Sequence, residues 1–321
     1  MIETPTVLIL GAGASKPYDY PLGIELKKEI IHILDLMSYH NSGWINELNF
    51  DVDLVKEFIK NFRASTRTSI DSFLNYHKKD YAPIGKIAIA NIISNCEQGN
   101  KKPLKLKDLT GFKEIADDWY RYLAEFVYNC DFDDINNNEL SIISYNYDRS
   151  LESFLYNTLR VNYKEGESQE ECANKIKNMK IEHMYGRLDP LQWEDENGRA
   201  YGQSCTSNEL LEISENIKLI QEAKKEEIPK RADNLLKQAQ RVYFLGLDLR
   251  RKENFEILNL SNLEGKDIIG TAYDLRNNER AQIKKFLNNY SNTQTVVVPN
   301  SGPIIENEKS LNMIRKYMAF Q

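Results

Sequence analysis

No run of about 18 apolar residues occurs in the 321, so the chain lacks a segment that could cross a bilayer as a helix. The opening Met-Ile-Glu-Thr-Pro has neither a basic stretch nor a following apolar core of the signal-peptide kind, and a cytoplasmic protein is the expectation. Cysteine is sparse and scattered. Cys96, Cys130, Cys172 and Cys205 lie 34, 42 and 33 residues apart, which gives none of the Cys-x-x-Cys pairs of a zinc knuckle, so reduced structural thiols and no metal are expected. A basic excess is missing as well: 42 Lys and Arg stand against 48 Asp and Glu, a net charge of −6. That balance offers no positive field to collect nucleic acid or anionic lipid, and neither is expected as a partner. Disorder is excluded by composition, since 41% apolar and 28% charged residues are ordinary for a folded chain with room for one large or two smaller domains.

What is present is an alternation of short apolar runs with helix-period segments. Thr6 to Leu10 is a β-branched and aliphatic run feeding Gly-Ala-Gly-Ala-Ser, the form of a buried parallel strand ending in a tight turn. Runs of the same character lie at 141–144, 179–184, 242–245, 267–270 and 295–298. Helical spacing at 149–159, 209–222, 277–288 and 307–318 separates most of them, which calls for an α/β fold with a doubly wound parallel Rossmann-like sheet. Between the first two strands the pattern is helical, at 52–63, 69–78, 84–97 and 112–130. The expected organisation is therefore a sheet domain of residues 1–39 and 137–321 carrying a helical insertion subdomain of residues 40–136. The lysine-rich 98–108 reads as a solvated loop and 224–231 as an exposed charged turn.

Gly11 and Gly13 let the backbone turn sharply and approach a pyrophosphate at the start of the next helix. A dehydrogenase fingerprint would need a third glycine where Lys16 stands, and Asp35, at the distance of a ribose-binding acid, falls on a segment with helical apolar spacing at 25–36. An oxidoreductase is disfavoured by both.

The turn and its continuation Tyr20-Pro21-Leu22-Gly23 resemble the sirtuin superfamily, specifically its bacterial sirtuin-like NAD-hydrolase branch of anti-phage defence effectors. Ser144-Tyr145-Asn146-Tyr147-Asp148 is similar to the Asn-x-Asp signature of that family, and His183-Met184-Tyr185-Gly186 to its histidine–glycine segment. Phe244-Leu245-Gly246 and Ile269-Gly270-Thr271 resemble its later strand ends, and residues 69–74 a helical segment of the branch. Each piece is short; their order across most of the chain carries the likeness. The paired zinc cysteines and the Pro-Asp-Phe-Arg stretch of deacylases are missing, so the resemblance implies cleavage of NAD to nicotinamide and ADP-ribose by water.

On that likeness Asn146 and His183 are the expected catalytic residues. Gly11, Ala12, Gly13, Ser15, Asp148, Tyr185, Gly186, Gly246 and Thr271 are expected to contact NAD. Asn146 carries an amide that both donates and accepts. His183 has an imidazole suited to a general base or to a ribose hydroxyl. The family histidine directly precedes the glycine, where this chain has Tyr185, and in an extended strand 183 and 185 share a side, so either could reach the pocket. Asp71 fits a helix-capping role better than a nicotinamide contact; Thr271 and Asp248 fit turn formers as well as ribose ligands; His32, His40 and His77 read as surface or packing residues. The resemblance also implies a homo-oligomer, or restraint by a neighbouring-gene partner such as a HerA-type ATPase, and release by a phage-derived trigger. The rival reading is a non-catalytic module that senses NAD or ADP-ribose.

Overall fold

The computed structural model describes residues 1–99, 115–163, 168–291 and 302–318. Six strands form one sheet: β1 (Thr6–Leu10), β2 (Leu140–Ser144), β3 (Lys180–His183), β4 (Arg241–Leu245), β5 (Asp267–Thr271) and β6 (Ile304–Glu306). Their order is β3-β2-β1-β4-β5-β6 and every pairing is parallel, the arrangement of a Rossmann-like doubly wound sheet. All five residues of β1, β2 and β5 are buried, which is why β1 and β2, and β5 after its leading Asp267, read as apolar or small runs with no alternation. The sixth expected strand, 295–298, lies outside the described residues, as do most of the expected 98–108 loop and the start of the 112–130 helix.

Between β1 and β2 the described residues form helices and no strand. These are α1 (Ala12–Ser15), α2 (Gly23–His40), α3 (Gly43–Glu47), α4 (Val52–Ala64), α5 (Ile70–Leu74), α6 (Lys78–Gln98) and α7 (Trp119–Val127). The α2, α4 and α6 helices pack on one another around aromatic rings, with Phe73 5.7 Å from Phe58 and 4.6 Å from Phe62 between ring centres. Asp51 and Ser69 cap α4 and α5 with their side chains.

The remaining helices are α8 (Ser150–Asn162), α9 (Gln169–Lys177), α10 (Ser207–Ser214), α11 (Ile220–Ala223), α12 (Ile228–Gln238), α13 (Asn277–Ser291) and α14 (Ser310–Tyr317). Two expectations are corrected here. The single helix expected over 209–222 is broken into α10 and α11, because the intervening turn gives the Lys218 N–H to Tyr185 O (2.9 Å). The charged segment 224–231 is not all turn, for α12 begins at Ile228 with Pro229 in its first turn, where a missing N–H costs nothing. Arg231 then reaches the edge strand and grips Glu182 at 2.6 and 2.8 Å. No helix among the described residues is long and apolar enough to cross a membrane.

One buried charge joins the insertion to the sheet. Arg149, with no solvent exposure, donates from Nε and Nη2 to both carboxylate oxygens of Glu97 at the end of α6 (3.0 and 2.6 Å). Its Nη1 donates to the carbonyls of Asp189 (2.9 Å), Pro190 (3.0 Å) and Arg199 (3.3 Å). Glu97→Gln would leave this guanidinium without its full counter-charge, and urea unfolding should show a loss of about 3–5 kcal/mol. A loss under about 1 kcal/mol would mean that Asp189, 3.2 Å from the same guanidinium, compensates alone.

Candidate functional site

The turn after β1 packs backbone to backbone on the turn after β4. Gly11 N–H donates to Leu245 O and Gly13 N–H to Gly246 O, both at 2.9 Å. A Cβ on Gly13 would stand 2.8 Å from Gly246 Cα, and Gly246 itself has φ of +64° with the space for a Cβ 2.0 Å from Ala14 N. Glycine at these positions is required by this close approach. In the expected phosphate cradle the Gly11 and Gly13 N–H groups are thus both bonded to main-chain carbonyls. Thr271 Oγ1 accepts the Gly246 N–H at 2.7 Å and donates to Phe244 O at 3.3 Å, so it ties the end of β5 to the β4 turn.

Beside this turn a polar cluster gathers at the C-terminal ends of β1, β2 and β3. The Asn146 amide donates to Gly11 O (3.0 Å) and Ser15 Oγ (2.9 Å), and Ser15 Oγ donates to Asp148 Oδ2 (2.8 Å). Asp148 Oδ1 accepts from the Ser150 N–H at 3.1 Å and from the Ser150 hydroxyl, an Asx turn that opens α8. The Tyr120 hydroxyl lies 2.7 Å from Ser150 Oγ, and its ring stacks on Tyr18 at 3.7 Å. Burial raises the Asp148 carboxyl above its ordinary range, against the lowering pull of the Ser150 and Ser15 hydrogen bonds. Between Ser15, Tyr120, Ser144, Asn146, Asp148, Glu152 and His183 lies a space of about 10 Å³, near the minimum room for one water.

His183 ends β3, paired in register with Ser144. Its Nδ1 lies 2.9 Å from Asn146 O and its Nε2 2.7 Å from Glu152 Oε1. Arg187 holds the same Glu152 oxygen at 3.0 Å and bonds Glu194 at 2.9 Å. Burial alone would raise the Glu152 carboxyl, but the His183 and Arg187 charges outweigh it and hold it down at about 2. Both ring nitrogens thus have an oxygen partner within hydrogen-bond distance, one a main-chain carbonyl and one a carboxylate.

Tyr185 does not share that space. The strand ends at His183, so the alternation that would align 183 with 185 does not continue. The Tyr185 ring instead meets Tyr145 edge-on at 5.4 Å, with its hydroxyl pushed up by burial and by Asp71. Gly186 has φ of +68°, and a Cβ there would strike Asn216 O at 1.9 Å.

The lesser candidates are structural. Asp71 accepts from the Tyr147 hydroxyl, while the cap of α5 is Ser69, whose Oγ takes the Ser72 N–H at 3.2 Å. Asp248 forms a half-buried ion cluster with Arg250 and Arg251. Asp35 lies on α2 and pairs with Arg63; His32 and His40 are exposed on the same helix, and His77 packs on Phe73 at 4.7 Å. Glu152, Arg187, Tyr120 and Ser150 were not singled out from sequence. Tyr120 comes from α7, more than twenty residues before the Asn146 motif and with no local pattern. A signal for Glu152 did exist, as a carboxylate among the apolar Leu151, Leu155 and Leu159 of α8. Among the described residues no group of three His, Cys, Asp or Glu side chains is placed to hold a metal.

A carboxyl depressed on folding adds stability above its unfolded pKa and loses it as pH falls through the folded one. The stability gap between the protein and Glu152→Gln should therefore be full above about pH 5 and narrow towards about pH 2, read by urea unfolding. A gap that does not change over that window would show that Glu152 is not ionised in the fold. No protein-family model matches the chain, and no curated protein matches it.

Proposed function

We propose that the protein is an NAD glycohydrolase, cleaving NAD to nicotinamide and ADP-ribose as an effector that depletes cellular NAD in defence against phage. The observation that carries this reading is the convergence of Asn146, Asp148 and His183 with Ser15 beside the β1/β4 crevice, where the strand order of an open α/β sheet reverses and nucleotides bind. The sequence likeness to sirtuin-type hydrolases supplies the substrate and the defence role.

In the reaction the bond from ribose C1′ to the nicotinamide nitrogen breaks, its electron pair leaves with nicotinamide, and water adds to the oxocarbenium-like ribose. Asn146 orients the reacting ribose or the water through its amide. Asp148, raised by burial, is the better proton acceptor of the two nearby carboxylates and takes the proton of the water. A space for one water cannot take a nicotinamide ring, so binding requires Asn146 and Ser15 to release their mutual bond and the turn to open. Restraint by an oligomer or by a partner such as a HerA-type ATPase, with a phage-derived trigger, fits an activity that would otherwise harm its host.

Incubation of the purified protein with NAD should release nicotinamide, and Asn146→Ala should lower turnover at least about 100-fold while costing about 1–2 kcal/mol of stability for the lost bonds to Gly11 and Ser15. A folded Asn146→Ala protein with full turnover would remove the residue from the mechanism. His183→Ala should abolish release and Tyr185→Phe reduce it far less, since Tyr185 does not line the cavity; the reverse result would move the site to the Tyr145 side of the strand ends. EDTA should leave both turnover and melting temperature unchanged. The closed cavity and the occupied His183 nitrogens favour a second reading, a module that holds NAD without cleaving it. A melting temperature raised by NAD with no nicotinamide formed, with or without partner, would select it.

A further inference from the structure

The His183 ring sits between two acceptors of different kinds. Asn146 O is a carbonyl and can only accept, so Nδ1, 2.9 Å away, carries a hydrogen. Glu152 Oε1 belongs to a carboxylate already gripped by the Arg187 guanidinium at 3.0 Å, so Nε2, 2.7 Å away, carries a hydrogen as well. Three polar groups of Asn146 are anchored: its N–H donates to Ser144 Oγ at 3.1 Å, its carbonyl faces His183, and its amide nitrogen reaches Gly11 and Ser15. The charged and titratable groups around the ring are Glu152 from α8, Arg187 with Glu194 behind it, and Asp148 and Tyr120 across the small cavity.

We propose that Glu152 is a positioning residue. With Arg187 it holds His183 as a doubly protonated clamp on the Asn146 main chain, so that the His183 ring fixes where the Asn146 amide points and accepts no proton from the water. In this arrangement His183, Glu152 and Arg187 form an alternating row, cation, anion, cation, closed by Glu194, which also takes the Leu191 N–H at 2.6 Å. The inner two members are nearly out of solvent, His183 8% exposed and Glu152 4%, while the Arg187 side chain is a quarter exposed. In so dry a site removal of one charge is felt by its neighbours. The consequence for turnover rests on the glycohydrolase reading, whereas the protonation of the ring does not.

The test has two arms on the full-length protein. In the first, the nitrogen-15 shifts of the His183 ring are measured near neutral pH. Two hydrogen-bearing nitrogens are expected in the unaltered protein, and a pyridine-type nitrogen should appear in Glu152→Gln. A pyridine-type nitrogen in the unaltered protein overturns the proposal without any variant having to fold. In the second arm, kcat and KM for NAD are compared. Glu152→Gln should lower kcat at least tenfold with KM little changed, and Glu152→Asp should restore part of it. Loss expressed in KM alone would overturn the positioning role. If the unaltered protein forms no nicotinamide the glycohydrolase reading fails, and the shifts of the first arm still decide the clamp.

Discussion

A guanidinium removed from water has to be met from all sides, and around Arg149 that requirement organises the site. Its five N–H groups draw in the last turn of α6 through Glu97 and the loop after β3 through three carbonyls. Arg149 is also the residue between Asp148 and Ser150, so the same charge fixes the start of α8 and the loop carrying Asn146. Asp189 closes the shell by bonding Arg199 at 2.9 Å. The insertion helices, the motif loop and the segment beyond β3 thus share one point of attachment, and the polar cluster inherits its shape from it.

Two carboxylates a helical turn apart are driven in opposite directions by what surrounds them. Glu152 faces cations and stays ionised; Asp148 faces hydroxyls in a dry pocket and is pushed up, with Glu152 adding to the push. In the glycohydrolase we propose, proton handling falls to the group whose charge is least supported, which is Asp148. His183, bonded to the supported one, is left to hold geometry.

The sheet was legible because its central strands are buried on both faces and therefore continuous in sequence: Thr6 to Leu10 and 242–245 announce themselves by β-branched and aromatic runs bounded by glycine. Helix starts were less secure. The helix expected over 84–97 already starts at Lys78 and runs through Pro83, while the Ser168-x-x-Glu171 capping box that opens α9 stood unread in a stretch too polar to suggest a buried face. At the site, Asn146 and His183 were identifiable as residue types at strand ends, and they do come within 2.9 Å of one another through the Asn146 carbonyl. Tyr185 entered through the likeness to the histidine–glycine segment, and the shared side expected for 183 and 185 does not hold because β3 ends at His183. Tyr120 and Arg187 could not be read at all, because they reach the cluster through tertiary packing and not through spacing.

The meeting of Gly13 with Gly246 has a kinetic meaning. Where side chains close a crevice, rotamer changes in picoseconds to nanoseconds can open it; here main chain lies against main chain, with the Gly13 N–H held by Gly246 O. Opening must displace a strand end together with the turn attached to it, a collective motion of the microsecond to millisecond class. A ligand taken up at this crevice by parting the two turns would therefore wait on the backbone, on a shift of β4 against β1, as well as on the side chains at its rim.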